Sequence, residues 1–187
     1  LPMAAHMDEL CGAVARNRAV ILAGDTGCGK STQVPQFLLR AGYARMAVTQ
    51  PRRISAQALA RRVSFETLNE HGAEIAFKVR FDTTRERGTK VLFVTEGILL
   101  RKFAGDPDLR EFEVVIVDEA HERHVNTDLI LGLLRSLIDR RPDLRVIVMS
   151  ATIDVQRFST FFGGAPVIQV PGRLHPIDVQ YVPPPSS

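Results

Sequence analysis

An α/β fold, with helices covering both faces of a mainly parallel sheet, is what this sequence predicts, and two observations carry the prediction, while a third excludes a membrane span. Short aliphatic and β-branched runs alternate with longer segments of helical spacing along almost the whole chain, the pattern of strand–helix–strand units. The first apolar run, Ala19–Ala23, leads directly into the Gly-rich stretch Gly24–Gly29, as expected for a buried strand turning sharply into a helix. The apolar runs Val114–Val117 and Leu129–Leu134 fall far short of the ~18 residues that cross a bilayer.

Taken in order, Ala19–Ala23 reads as a buried strand. Ser31–Ala41 reads as a helix that tolerates Pro35 only within its first turns, because proline lacks the N–H that the helix interior requires. Arg45–Thr49 is strand-like, and Ser55 is a candidate cap for a helix running to about Asn69;. Ile75–Arg80 and Lys90–Thr95 follow as strands, and Glu96–Ala104 as a short helix stopped by the Gly105-Asp106-Pro107 turn;. Glu113–Val117 is a nearly pure apolar strand. Asn126–Arg140 has helical spacing through Leu129, Leu133, Leu134 and Leu137;. Arg145–Met149 is a strand, Asp154–Phe162 a short helix and Val167–Val170 a last strand. There is no internal repeat, and Pro183-Pro184-Pro185-Ser186-Ser187 cannot extend a sheet;. Together with the absence of an initial methionine, that tail leads us to expect a segment cut from a longer chain.

At 187 residues, 45% hydrophobic and 24% charged, with mean hydropathy +0.01, the chain suits one domain able to bury roughly 70% of its unfolded surface. This composition excludes a mostly disordered chain. Leu1–Leu10 carries Asp8 and Glu9 and is not expected to be a secretory leader;. Cys11 and Cys28 are too few for a disulfide scaffold or a zinc site and suit a reducing, intracellular compartment, with nucleus and cytoplasm equally open;. The net charge of +3 conceals an asymmetry: residues 1–62 hold nine basic and three acidic groups, whereas residues 63–187 balance at −3. Twenty of the 24 basic residues are arginine. That excess fits either bidentate phosphate recognition or a base composition favouring arginine codons, and composition does not separate the two.

Gly24-Asp25-Thr26-Gly27-Cys28-Gly29-Lys30-Ser31 fits G-x-x-x-x-G-K-[ST] at every fixed position, between a strand and a helix. Glycines permit a tight turn whose backbone N–H groups point inward as an anion nest at a helix N-terminus. Lys30 would reach the β- and γ-phosphates, and the Ser31 hydroxyl would ligate magnesium. Cys28 contributes its backbone N–H, with a reactive thiol beside Lys30 as the alternative. A second signal is Asp118-Glu119-Ala120-His121 at the end of the strand Glu113–Val117. An aspartate there, beside a phosphate loop, supplies the second magnesium contact, and Glu119 could act as general base toward water. His121 and His124 are spaced i, i+3 but lack a further ligand cluster, so zinc is not expected; His121 instead suits a role linking nucleotide state to neighbouring segments.

These residues spell a family. GDTGCGKST, TQPRR, TEG, DEAH and SAT occur in that order, and residues 8–182 resemble the first RecA-like domain of DEAH-box RNA helicases. Val79-Arg80-Phe81, Glu122-Arg123 and Val170-Pro171-Gly172-Arg173 are further matching stretches. The resemblance implies a three-layer α/β RecA-like P-loop NTPase domain over residues 1–182, the first of two in the full protein, with 183–187 a linker or a cut end. It implies an ATP-dependent RNA helicase, an RNA-stimulated ATPase with ATP and Mg2+ as cofactors, that couples hydrolysis to RNA translocation and unwinding.

Position by position, the resemblance implies that Gly24, Asp25, Thr26, Gly27, Cys28, Gly29, Lys30, Ser31 and Thr32 cradle the triphosphate. Ser31, Asp118 and Glu119 hold magnesium, and Lys30, Asp118, Glu119 and His121 make up the catalytic set. Arg52 and Arg53 of TQPRR grip the RNA backbone, with Thr95, Glu96 and Gly97 as a second grip and Arg80 and Phe81 as part of a turn that touches RNA. Arg62 matches an arginine that stacks on an adenine base and is grouped with the RNA track, although Arg61 competes for that position. Ser150, Ala151 and Thr152 resemble the segment coupling hydrolysis to domain movement. The expected partners are single-stranded RNA or an RNA–protein complex, a second RecA-like domain in the same chain and an activator protein where one is needed, with no membrane. The resemblance leaves open which RNA is the substrate.

Three departures from the family pattern stand out. Glu96 replaces the usual Asp, Phe77-Lys78 replaces a Gly–aromatic pair, and the second domain's Q-x-x-G-R-x-G-R-type segment is absent from these residues. Lacking the arginine fingers that the family's second domain also supplies, worth about 10³–10⁵ in rate, the isolated domain is expected to bind nucleotide and RNA weakly and turn over little. The rival reading is a nucleotide-degenerate RNA-binding or protein-docking module. A transporter ATPase would need an L-S-G-G-Q segment, which the sequence lacks.

Overall fold

A computed structural model describes residues 2–68, 71–151 and 154–172. A short 3-10 turn leads into helix α1 (Met7–Arg16), then strand β1 (Ala19–Gly24), α2 (Lys30–Arg40), β2 (Met46–Gln50) and α3 (Arg53–Glu66). There follow β3 (Ile75–Val79), β4 (Asp82–Thr83), β5 (Val91–Thr95), α4 (Glu96–Gly105) and β6 (Val114–Val117). The chain continues through α5 (Val125–Arg140), β7 (Arg145–Ser150), α6 (Val155–Phe161) and β8 (Val167–Val170).

Among the described residues the strands form a single eight-stranded sheet in the order β4-β3-β5-β2-β6-β7-β1-β8. Every pairing is parallel except the short β3–β4 hairpin, so the expected mainly parallel α/β sheet is what forms. Burial on both faces explains why the strands read as continuous apolar runs. The pleat divides each run between two cores. Val20 and Leu22 of β1, Val48 of β2, Ile116 of β6 and Met149 of β7 join one core with residues of α1, α2 and α3. Ile21, Ala47, Val115 and Val148 join the other with residues of α4, α5 and α6.

Several boundaries depart from the sequence reading. α3 starts at Arg53, with Arg52 in the N-cap position and no side-chain cap, so Ser55 caps nothing. The packing of Ala56, Ala60 and Val63 at i, i+4 and i+7 sets this helix, rather than a hydroxyl at its start;. On α5 the buried stripe is Thr127, Ile130, Leu131, Leu134, Leu137 and Ile138. Leu129 and Leu133, read as part of that stripe, are 53% and 37% exposed, about 100° around the helix from Ile130 and Leu134. The sequence reading assigned no element to the residues of α1 or β4. No described helix is long and apolar enough to cross a membrane. The tail 183–187 and Arg173 lie outside the described residues.

Candidate functional site

Parallel register gathers the motifs. Ala23 pairs with Ser150, Thr49 with Val117 and Gln50 with Thr95, so the phosphate loop, TQPRR, TEG, DEAH and SAT segments all emerge from one edge of the sheet. The chain leaves β1 for β2, three strands away in one direction, while β7 leads to β8 in the other. In open α/β sheets the ligand crevice lies beyond the carboxyl ends of strands at such a reversal.

The loop from Gly24 to Gly29 closes through a hydrogen bond from the Cys28 N–H to the Asp25 carbonyl, 3.2 Å. Gly27 and Gly29 have φ of 84° and 100°, values that side chains with a Cβ rarely adopt, and Gly29 is the N-cap of α2. Lys30 is only 8% exposed. Its ammonium donates to the Gly24 carbonyl, to the Asp25 carbonyl at 3.1 Å and to Cys28 Sγ at 3.6 Å. The Cys28 side chain is buried, so the loop offers its backbone outward. The Thr32 hydroxyl donates to the Gly29 carbonyl at 3.3 Å.

Asp118 is 1% exposed, and its carboxylate is fully engaged. Ser31 Oγ donates to Oδ2 at 2.6 Å, the Gln50 amide donates to the same oxygen, and the Glu119 N–H donates to Oδ1 at 2.9 Å. Burial pushes its pKa up, against the opposing pull of these bonds and of Lys30;. A hydroxyl and a carboxylate oxygen in contact, beside a phosphate loop, are the hard oxygen donors that magnesium selects, so these residues fit the ion. Glu119 departs from that pair: its carboxylate faces His121 Nε2 at 3.2 Å. Burial, then the charge of Asp118, raises the Glu119 pKa. His121 Nδ1 accepts the Ala151 N–H at 3.0 Å. In the neutral ring the proton therefore sits on Nε2 and points at Glu119, and His121 spans the DEAH turn and the Ser150-Ala151 strand end. Thr152 lies outside the described residues.

A cleft of about 450 Å³ is lined by Thr26, Gly27, Gly29, Lys30, Ser31, Thr32 and Glu119 together with Ala58, Leu59 and Arg62 of α3. Arg62 lies nine positions further along α3 than Arg53, about 14 Å, and faces the Gly27–Thr32 loop. Arg62 donates to Glu66, which also accepts Gln33 Nε2 at 3.1 Å and Gln36 Nε2 at 2.8 Å. Burial acts to raise the Glu66 pKa, but the bonds from Arg62, Gln36 and Gln33 outweigh it and leave the carboxyl below its ordinary value.

A second cleft, of about 340 Å³, is lined by Pro51, Arg52, Glu96, His124, Val125 and Asn126. Here the TQPRR and TEG segments meet. Thr95 is the N-cap of α4 and Gly97 is exposed. The Glu96 carboxylate, by contrast, is buried and takes the Thr127 hydroxyl, and burial raises its pKa; it ties α4 to α5. Arg53 is exposed at the first turn of α3. Beyond β3, at the same sheet edge, Phe81 is 90% exposed at φ 67°, with the Arg80 guanidinium 4.8 Å above its ring. Gln57 Nε2 of α3 holds the neighbouring Asp82 at 2.8 Å.

Asn126 and Glu66 were not singled out from the sequence; His124 was weighed there only as a zinc ligand, and Gln50 only as part of TQPRR. For Gln50 a signal existed: a polar residue ending an otherwise apolar strand, 2% exposed, requires a buried partner. For the others only the fold brings the parts together.

A family model described as DEAD/DEAH box helicase matches residues 6–160. Two relatives, the human and mouse proteins named probable ATP-dependent RNA helicase DHX34, are each 51% identical over 183 residues, covering 98% of this chain and 16% of theirs. The chain therefore spans about one-sixth of the length of these relatives. The mainly parallel α/β sheet is in keeping with a RecA-like helicase domain, and the chain belongs to the DEAD/DEAH box helicase family.

Proposed function

We propose that residues 1–182 are the nucleotide-binding first RecA-like domain of an ATP-dependent RNA helicase, coupling ATP hydrolysis to movement on RNA. The names of the relatives support this reading, and one observation carries it: Ser31 Oγ lies 2.6 Å from Asp118 Oδ2 across 87 residues of sequence, beside Lys30.

In this reading the backbone N–H groups of Gly27–Lys30 receive the phosphates, and the Lys30 ammonium exchanges the Gly24 and Asp25 carbonyls for phosphate oxygens. Ser31 and Asp118 hold magnesium, which when bound neutralises charge on the phosphate oxygens. Glu119 accepts a proton from the attacking water at its carboxylate, for which a raised pKa makes it a stronger base. His121 orients that carboxylate through Nε2–H and senses the Ser150-Ala151 segment through Nδ1. Arg62 covers the base-side wall of the cleft, where a guanidinium stacks on an adenine. Arg52 and Arg53, at the N-terminus of α3, receive RNA phosphates.

The test is ATP turnover by the polypeptide carrying this domain, with and without oligouridine. Turnover that rises with RNA supports the reading. RNA binding that is indifferent to ATP, with no turnover, would favour the degenerate binding module.

A further inference from the structure

Asp118 is followed by a single 3-10 turn, Ala120–Glu122, and both residues that flank it are left-handed: Glu119 at φ 55° and Arg123 at φ 51°. Non-glycine residues keep such backbone only where their surroundings hold them, often at switch segments. Three ties hold this turn. His121 takes the Ala151 N–H. Arg123 donates twice to Asp128 of α5, at 2.8 and 3.1 Å. Glu122 reaches two residues that line the second cleft, with Oε1 3.7 Å from Arg52 Nη2 and Oε2 2.7 Å from His124 Nε2.

The geometry of Glu122 is that of an anion bridging Arg52 of the proposed RNA grip and His124 beside it. Resting on the RNA-binding reading above, we propose that Glu122 is a surrogate phosphate: without RNA its carboxylate occupies the place an RNA phosphate takes against Arg52, and RNA binds by displacing it. Three features suit the exchange. Arg52 remains 73% exposed at its side chain, open to an incoming strand. An ion pair of that exposure and length is weak and screened by salt, whereas a phosphate offers the guanidinium a stronger, bidentate partner. Glu122 also shares with His121 the turn that Glu119 precedes, so releasing it from Arg52 loosens one of the three ties that hold this turn beside the proposed general base. Glu122 is thus a positioning residue through which RNA occupancy reaches the nucleotide site.

The experiment measures anisotropy of fluorescein-labelled oligouridine with the protein, its Glu122→Gln and Arg52→Ala variants and the double variant, at several salt concentrations. Asp143→Asn, which removes the same charge just ahead of β7 at the opposite edge of the sheet, controls for bulk electrostatics. Glu122→Gln is expected to tighten RNA by about two- to five-fold, a gain that a merely structural role would not produce. Its salt dependence should steepen toward one further single-strand phosphate contact, about 0.7 in slope. In the Arg52→Ala background the gain should fall to less than half, and Asp143→Asn should not reproduce it. Unchanged or weaker binding by Glu122→Gln, or a gain that survives intact in Arg52→Ala, overturns the surrogate-phosphate role. If no form binds RNA, the RNA-binding reading itself falls and this role with it.

Discussion

Asp118 and Arg52 follow neighbouring strands to the same edge of the sheet, yet their surroundings are opposite. Asp118 is nearly inaccessible and accepts three hydrogen bonds, from Ser31, Gln50 and the Glu119 N–H. Arg52 is largely exposed, with an ion pair at 3.7 Å to Glu122. The proposed nucleotide side is built like a core, with every buried polar atom of the aspartate satisfied in advance, as preorganised electrostatics require. The proposed RNA side is built like a surface, its cations held by contacts worth little in water. A triphosphate of fixed shape suits the first arrangement, and a flexible strand of variable sequence suits the second. His121 and Glu122, on one turn, join the two.

The largest expected break falls on the nucleotide side. Glu119→Gln should lower turnover by about 10²–10⁴, the usual worth of a general base, as read in single-turnover hydrolysis. The same variant should be more stable near neutral pH. The Glu119 pKa is raised in the fold by burial and by Asp118, so its stabilising protonated form is fully present below the ordinary carboxylate pKa of about 4.5 and is lost as pH rises through the raised value. The melting temperature of Glu119→Gln should therefore exceed that of the parent at pH 7, with the gap closing as pH falls below about 4.5. A variant less stable at pH 7 would contradict that sign.

A smaller effect should test the join between the regions. His121→Asn removes the acceptor for the Ala151 N–H and the donor to Glu119. RNA-stimulated turnover should fall by about two- to ten-fold, the worth of one such bond, with ATP affinity moving less. Equal losses of affinity and turnover would make His121 a simple packing residue. The smallest effect sharpens where the boundary lies. Arg62→Ala should weaken ATP by about two- to five-fold, in line with an exposed guanidinium–ring contact, and leave inorganic triphosphate binding unchanged. If RNA affinity falls instead, Arg62 returns to the RNA track on which the sequence grouped it.

The buried half was far more legible than the exposed half. Ala19–Ala23 and Glu113–Val117 announce themselves because a strand covered on both faces needs an unbroken apolar run. Gly27, Gly29, Lys30 and Ser31 keep fixed spacing because a phosphate nest has one backbone geometry. The start of α3 was misplaced because packing by Ala56, Ala60 and Val63 set it, with no capping side chain to advertise it. The role of Glu96 was hidden for a different reason: its partner Thr127 is 31 residues away on another helix, a pairing no local pattern encodes. The same holds for Glu66, which α2 and α3 share, and for Leu129 and Leu133, whose apolar character implied a buried face that the helix rotates outward.

The claim that the whole arrangement rests on is that the loop around Lys30 binds the triphosphate of ATP, and calorimetric titration of magnesium–ATP into the protein and its Lys30→Ala variant tests it most directly. Removing a buried ammonium that now rests on the loop carbonyls should weaken binding by about ten- to a hundred-fold, the worth of a charge-assisted hydrogen bond. Equal affinity in the two proteins would contradict it.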